Sequence, residues 1–192
     1  MNKTRKILIS LVGGISLLIA GIAPATAELT GVVKIAQGDN ISVVNGGVLT
    51  VDVIGQDFTV APDGAAFSLS WDPSVLSYVS STVANPPWNA SYISEAQVSS
   101  GLIDYAFMGI TTNGVNAGAN FGLASFTFNV LGHPGDVTAL ALGNDSYDIG
   151  FINGETGLNV NYVNSQVQVV PLPAAVWMFG VGFVGMMGGM KR

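Results

Sequence analysis

The chain has 192 residues, with 12 acidic side chains, 6 Lys or Arg and no cysteine. The absence of thiols excludes disulfides, a cysteine nucleophile, Cys-ligated zinc and iron–sulfur clusters. Five of the six cations lie at the two ends of the chain, so residues 28–170 carry Lys34 against all twelve carboxylates, a formal charge of −11. Such a surface repels phosphate, which disfavours binding to nucleic acid or to anionic lipid.

The first 27 residues have the pattern of a secretory signal peptide. A basic segment, an apolar run and a small-residue cleavage site follow one another: Lys3, Arg5 and Lys6, then residues 7–22, then Ala25-Thr26-Ala27. The pattern predicts a signal helix that is cleaved after Ala27, and therefore export. An uncut N-terminal anchor is the alternative.

Residues 28–170 are expected to form one domain, and their periodicity is that of β-strands. Apolar side chains alternate with small or polar ones around Phe67, Leu69 and Trp71, and again around Phe126 and Phe128. Further candidate strands are 31–37, 48–55, 75–83, 92–98, 102–109, 137–142 and 158–169. In the last of these, the apolar phase changes between Tyr162 and Val163, which predicts a β-bulge.

Clusters of turn-forming residues separate the candidate strands. They are Asn45-Gly46-Gly47, Pro62-Asp63-Gly64, Asn113-Gly114, His133-Pro134-Gly135-Asp136 and Asn153-Gly154. Many short strands, frequent turns and no segment with helical periodicity predict an all-β fold, an antiparallel β-sandwich.

The strand that ends at Trp71 continues directly into Asp72-Pro73-Ser74-Val75-Leu76. The Asp72 side chain can accept hydrogen bonds from its own turn, and Pro73 fixes a turn dihedral. We therefore expect Val75 and Leu76 to enter the core, together with Trp71.

The segment from Phe67 to Val79 resembles the signature of cohesin domains, in which a strand runs through an Asp-Pro-Ser-Val-Leu turn into the next strand. Residues 101–107 and 123–130 are similar to later strands of that family, and the resemblance covers most of residues 32–169. It implies a jelly-roll sandwich of about nine strands, shared by cohesins and related carbohydrate-binding modules. Because fold does not determine function, the partner stays open, and recognition of a dockerin-like protein is one possibility.

No catalytic constellation stands out, so we expect a protein that is not an enzyme and that needs no cofactor or metal. His133, the single histidine, lies in a turn cluster and lacks a recognisable nucleophile beside it. Chance pairing among the carboxylates leaves a glycosidase-type pair open. Asp145 and Asp148, with Glu155 nearby, could ligate calcium, but their spacing differs from an EF-hand loop, and a turn role is favoured.

Trp88 and Tyr92 are the candidate glycan-binding residues. Both lie in or beside the loop that contains Asn85-Pro86-Pro87, where an exposed ring could stack on a sugar. Core packing is the alternative for Trp88. A polysaccharide-binding module is therefore a second functional hypothesis.

The last 22 residues, 171–192, combine a proline motif, an uncharged run and a basic end. The motif is Pro171-Leu172-Pro173-Ala174, the run covers residues 174–190, and Lys191 and Arg192 close the chain. As a helix the run would reach roughly 26 Å, close to the lower limit for a hydrocarbon core of about 30 Å. It predicts a transmembrane helix with the preceding domain outside the cell, and a plain uncut anchor is the alternative.

This layout resembles the PEP-CTERM sorting signal of Gram-negative bacteria in its Val-Pro-Leu-Pro-Ala form, which a membrane enzyme of the exosortase type recognises. Leu172 stands where the namesake motif has Glu. The resemblance implies transient anchorage and processing, followed by a location at the cell surface or outside the cell. The favoured function is a structural or adhesive surface protein associated with exopolysaccharide or biofilm, and binding of polysaccharide or of another surface protein is the alternative.

Overall fold

The computed structural model describes residues 30–172, which form a two-sheet β-sandwich. Its strands are β1 (Gly31–Ile35), β2 (Asn40–Val44), β3 (Val48–Gln56), β4 (Gly64–Ser70), β5 (Leu76–Val83), β6 (Ala90–Ile93), β7 (Leu102–Gly109), β8 (Phe121–Val130), β9 (Val137–Gly143), β10 (Phe151–Asn153), β11 (Thr156–Leu158), β12 (Val160–Val163) and β13 (Ser165–Val170). The helical content of these residues is one 3-10 turn, Val98–Ser100.

Residues 30–172 contain no helix that is long and apolar enough to cross a membrane. The predicted signal peptide with Ala25 and Ala27, the run at 174–190 and the basic end at Lys191 and Arg192 lie outside the described residues. Of the proposed sorting motif, Pro171 and Leu172 are described and exposed, whereas Pro173 and Ala174 are not described.

The first sheet has the strand order β12-β1-β3-β8-β5. The second sheet runs β2-β13-β9-β4-β7-β6, and the β10–β11 hairpin pairs with the start of β4. Because β7 pairs along the whole of β4, strands β9 and β10 share the other edge of β4. The predicted all-β sandwich is confirmed, with thirteen strands in place of about nine.

Alternation along strands such as β1, β3 and β13 places the core between the two sheets. In β3 the buried positions are Leu49, Val51 and Val53, and the side chains between them are exposed or half-buried. Phe67 of the second sheet meets Phe126 of the first edge-to-face, with ring centroids 6.2 Å apart. Burial of these alternating apolar side chains holds the domain together without disulfides.

The first two strands and the last two strands of the domain pass from the first sheet to the second side by side, a feature that the sequence does not predict. β1 pairs in parallel with β12 in the first sheet, and β2 pairs in parallel with β13 in the second. The phase change after Tyr162 is therefore a passage between sheets at Asn164, and the predicted bulge within one strand at 158–169 is wrong. The Ser165 hydroxyl donates to the Gly38 carbonyl (2.6 Å) and fixes the two crossings to each other.

The turn after Trp71 has the predicted chemistry. Asp72 Oδ1 accepts from the Ser74 backbone N–H (2.8 Å) and the Ser74 hydroxyl (2.6 Å), and these bonds lower the pKa of Asp72. Val75 and Leu76 are buried. Gly101, at φ +77°, packs against this turn, where a Cβ would clash with the Trp71 carbonyl oxygen.

Other strand predictions differ in extent. The segment 102–109 is a strand as predicted, whereas 92–98 is not: β6 ends at Ile93, and the 3-10 turn begins at Val98. Strand β2 was not predicted: its five residues lie at a sheet edge and none of them is fully buried, although Ile41 and Val43 alternate with the exposed Asn40 and Ser42.

Candidate functional site

Trp88 is buried, and its predicted role as an exposed glycan-stacking ring is wrong. Its side chain is 1% exposed, and its indole N–H donates to the Gly122 carbonyl at 2.7 Å. Its ring meets Phe121 edge-to-face with centroids 5.6 Å apart. A buried partner for the N–H and a large apolar area favour the core over the surface for this residue.

Tyr92, by contrast, is 61% exposed and belongs to a cluster of aromatic rings on the outer face of the second sheet. We define the aromatic patch as Tyr92 from β6, Tyr105 and Phe107 from β7, and Tyr147 from the loop 144–150. The centroid of Tyr105 is 6.1 Å from that of Tyr92, 6.0 Å from Phe107 and 5.1 Å from Tyr147. Tyr105 is therefore the centre of the patch.

A β-bulge places Tyr105 on this face. The register between β4 and β7 shifts between Phe67 and Leu69, which pair with Ala106 and Ile103 respectively. The bulged residues Asp104 and Tyr105 are both half-buried, while Ile103 and Ala106 on either side are in the core. A bulge re-aims a side chain in this way, so both residues reach the outer surface.

The loop that carries Tyr147 is fixed to the sheet at several points. The Ser146 N–H donates to the Asp104 carbonyl (3.1 Å), and the Ala66 N–H donates to the Gly150 carbonyl (2.7 Å). The Ser68 hydroxyl donates to the Asn144 carbonyl (2.8 Å). Tyr147 is 72% exposed, yet its backbone is held in place, which lowers the entropy lost on binding.

Asp145 organises that loop from within. Its side chain is 5% exposed, and its two oxygens accept from the backbone N–H groups of Tyr147 and Gly150, each at 2.9 Å. This is the turn role that the sequence favours. The described residues contain no group of three or more acidic or histidine side chains that could hold a metal ion.

The rings of the aromatic patch are uncharged, and an acidic side chain adjoins them. Burial first, and then the charge of Asp145, raise the pKa of Tyr105 above the ordinary phenol value, which already leaves the ring uncharged at neutral pH. Asp104 lies beside Tyr105 on the bulge, and residues 30–172 carry Lys34 against eleven carboxylates. A partner for this face therefore has to match neutral aromatic rings that adjoin the Asp104 carboxylate in a strongly acidic domain.

His133 has no catalytic neighbourhood among the described residues. Its side chain is 88% exposed, and its ring lies 3.8 Å from the Asp136 carboxylate. The Asp136 side chain accepts from the His133 backbone N–H (2.7 Å), which closes the turn between β8 and β9. This is the predicted turn role.

The aromatic patch was missed by sequence reasoning except for Tyr92. Tyr105 and Phe107 occupy alternating positions with Ile103, so simple alternation puts all three on one face. Tyr147 lies in a loop whose path over the sheet no local pattern reveals. The spacing of Tyr105 and Phe107 was the one available signal. Because of the bulge at Asp104, these two rings lie on the face opposite to Ile103.

The chain matches no model of a known protein family and no curated protein. Solved cohesin structures share its fold. CaCohA2 of Clostridium acetobutylicum, in a complex with CaDoc0917, is 13% identical with a TM-score of 0.60, over 73% of this chain and 100% of that one. The seventh ScaB type I cohesin of Pseudobacteroides cellulosolvens is 14% identical with a TM-score of 0.58, over 76% and 96%.

A third solved structure has the same fold. The sixth cohesin of scaffoldin B from Acetivibrio cellulolyticus, in complex with the Cel5 dockerin, is 16% identical with a TM-score of 0.56, over 72% and 98% of the two chains. At such identities the likeness concerns the fold alone. The described domain thus has a cohesin-like jelly-roll sandwich fold.

Proposed function

We propose that this chain is an exported, non-enzymatic surface protein whose cohesin-like domain recognises a protein partner through the aromatic patch. The observation that carries the proposal is the convergence of Tyr92, Phe107 and Tyr147 on Tyr105 at an outer sheet face. Tyrosine is enriched at protein interfaces, and energetically dominant residues cluster at the interface centre. The solved cohesins in complexes with dockerin modules are consistent with this use of the fold.

Charge narrows the class of partner. The domain has a large excess of carboxylates over its one lysine, and Asp104 adjoins the centre of the patch. A basic rim on the partner would speed association, and an acidic one would suppress it. We therefore expect an exported protein module with exposed apolar side chains flanked by Lys or Arg.

Export and sorting rest on the sequence at the two ends of the chain. The signal pattern before Ala27 and the motif from Pro171 to Ala174 support delivery to the outside and processing by an exosortase-type enzyme. The test is deletion of residues 171–192 in the native bacterium, followed by cell fractionation. Retention at the surface, or release into the medium at the wild-type rate, would refute the sorting part.

Partner recognition is tested with variants of the patch. The full chain, with a photo-crosslinking amino acid at Ser146, the exposed neighbour of Tyr147 in the loop 144–150, is compared with the same chain carrying Tyr105→Ala. We expect cross-linking to a defined exported protein that drops at least tenfold in the variant, as for residues at the centre of an interface. Thr50→Ala, on the outer face of the first sheet, is the matched control.

Two results would count against the proposal that the aromatic patch is the interface. Cross-linking that is equal in Tyr105→Ala and in the control would place the interface elsewhere. A second outcome would be reproducible glycan binding that is abolished in Tyr92→Ala, with no protein cross-linked. It would favour sugar stacking on the exposed rings and refute recognition of a protein partner.

A further inference from the structure

A groove shares the loop 144–150 with the aromatic patch and is distinct from it. The groove, of about 580 Å³, runs between the loop 144–150, the β10–β11 hairpin and β12. Its walls include Asn144, Asp148, Phe151, Leu158, Val160 and Tyr162, and none of the four patch residues lines it. The volume falls within the roughly 300–1,000 Å³ of small-molecule sites.

The Tyr162 hydroxyl is the unusual group in this groove. Its oxygen is buried and has no hydrogen-bond partner among residues 30–172. Burial, with the added effect of Asp145 and Asp148, raises the pKa of Tyr162, so the group is an uncharged phenol. A buried hydroxyl without a partner is costly, and native proteins keep few of them, so this one calls for an explanation.

Asn144 and Asp148, which also line the groove, form a polar pair. The Asn144 amide donates to Asp148 Oδ1 at 3.0 Å, and both side chains are exposed. Asp148 has φ +55°, a conformation that few residues other than glycine adopt. Asp145 fixes the intervening loop, so an amide and a carboxylate are presented at a set position.

The chemistry of the walls excludes several ligand classes. An anion would meet the Asp148 carboxylate in a domain with one lysine. A metal ion lacks a group of three suitable ligands among the described residues. A wholly apolar ligand would leave the Tyr162 hydroxyl and the Asp148 carboxylate without partners.

We infer that this groove binds a neutral sugar unit. The half-buried side chains of Leu158 and Val160 offer apolar surface for the C–H face of a pyranose, and Tyr162, Asn144 and Asp148 offer hydrogen-bond donors and acceptors for its hydroxyls. The apolar surface and the few convergent polar groups are those of a small-molecule site. The inference does not depend on the aromatic patch, so either site can fail without the other.

The test uses the full chain, purified in a detergent without a sugar head group so that the detergent does not occupy the groove. A panel of neutral oligosaccharides is screened, and the best ligand is titrated calorimetrically. We expect saturable binding that Tyr162→Phe weakens roughly threefold to tenfold, the range for one lost neutral hydrogen bond. Because Phe keeps the ring and removes an unpaired hydroxyl, the variant should fold with unchanged or higher thermal stability.

Matched variants separate the groove from the patch. Tyr92→Phe removes a hydroxyl from the patch and should leave sugar affinity unchanged. Asp148→Asn tolerates the same backbone conformation and should also weaken sugar binding. The inference is overturned if no neutral oligosaccharide binds saturably or if Tyr162→Phe binds as wild type. Binding of pentalysine but of no sugar, with the pentalysine binding abolished in Asp148→Asn, would also overturn the inference.

Discussion

The two outer faces of the sandwich differ in the contacts that their side chains make: polar groups hydrogen-bond to one another on one face, and aromatic rings pack together on the other. On the first sheet, the Gln37 amide donates to Asp52 Oδ2 (3.0 Å), Ser125 donates to Asp52 Oδ1, and the hydroxyls of Thr50 and Thr127 lie 3.2 Å apart. On the second sheet, the rings of the aromatic patch contact one another and leave Tyr92 and Tyr147 largely exposed.

The difference indicates which face is available to a partner. Polar groups that already bond to one another gain little from a new partner, because binding exchanges one set of hydrogen bonds for another. Exposed rings gain free energy from each portion of apolar area that a partner removes from water. The first face therefore stabilises the fold, and the second is the face that we expect to bind.

Replacement of Trp88 by Ala should have the largest effect on stability. Trp88 belongs to the core between the faces, and loss of a buried Trp side chain typically costs about 3–5 kcal/mol of unfolding free energy. Chemical denaturation of the full chain measures the change. Tyr92→Ala, four residues away and exposed, should change stability by less than about 0.5 kcal/mol. Similar losses in both variants would contradict the burial of Trp88.

Replacement of Asp145 by Ala should affect both stability and binding. The variant leaves the N–H groups of Tyr147 and Gly150 without their acceptor, a loss of about 1–3 kcal/mol. A mobile Tyr147 also loses its preorganisation, so partner affinity at the patch should fall. Asp145→Asn keeps one carbonyl oxygen and should lose less. Unchanged affinity in Asp145→Ala would show that Tyr147 does not contribute to binding.

The turn at Asp72 and the patch at Tyr105 show what the sequence could and could not predict. The turn depends on contacts within five residues, so Asp72, Pro73 and Ser74 suffice to predict that Val75 and Leu76 are buried. The orientation of Tyr105 depends on a bulge opposite β4, a strand more than thirty residues earlier in the chain. Local periodicity contains no information about that pairing.

The same distinction explains two wrong expectations. Trp88 follows two prolines, a local signal for an exposed loop, yet its indole finds an acceptor at Gly122, 34 residues later. The phase change after Tyr162 was visible, but a bulge and a passage between sheets give the same local pattern. Pairing of β12 with β1 and of β13 with β2 decides between them.

Replacement of Asp52 by Ala tests the first face. The variant removes the acceptor shared by Gln37 and Ser125 at a half-buried position, and we expect a loss of about 1 kcal/mol of stability. Partner binding at the patch should be the same as in wild type, since Asp52 lies in the other sheet. Weaker cross-linking at Ser146 in this variant, with its fold intact, would contradict the assignment of separate roles to the two faces.

The smallest expected effect concerns Tyr78 of β5, whose hydroxyl donates to the carboxylate of Glu95 in the loop after β6. Burial, and then the hydrogen bond to Glu95, raise the pKa of Tyr78 from 10.0 to about 12. Below pH 10 the phenol is protonated in the folded and unfolded states, and its contribution to stability is complete. Between pH 10 and about 12 the unfolded state releases the proton first, so stability falls as pH rises.

Tyr78→Phe removes this titration, so its denaturation midpoint should fall less than that of wild type between pH 9 and pH 11. The decline that persists in the variant is assigned to Tyr105 and Tyr162, whose pKa values are raised as well. Glu95→Gln keeps the burial of Tyr78, which is the larger cause, and should give an intermediate slope. Equal slopes in wild type and Tyr78→Phe would show that the fold does not raise the pKa of Tyr78 in solution.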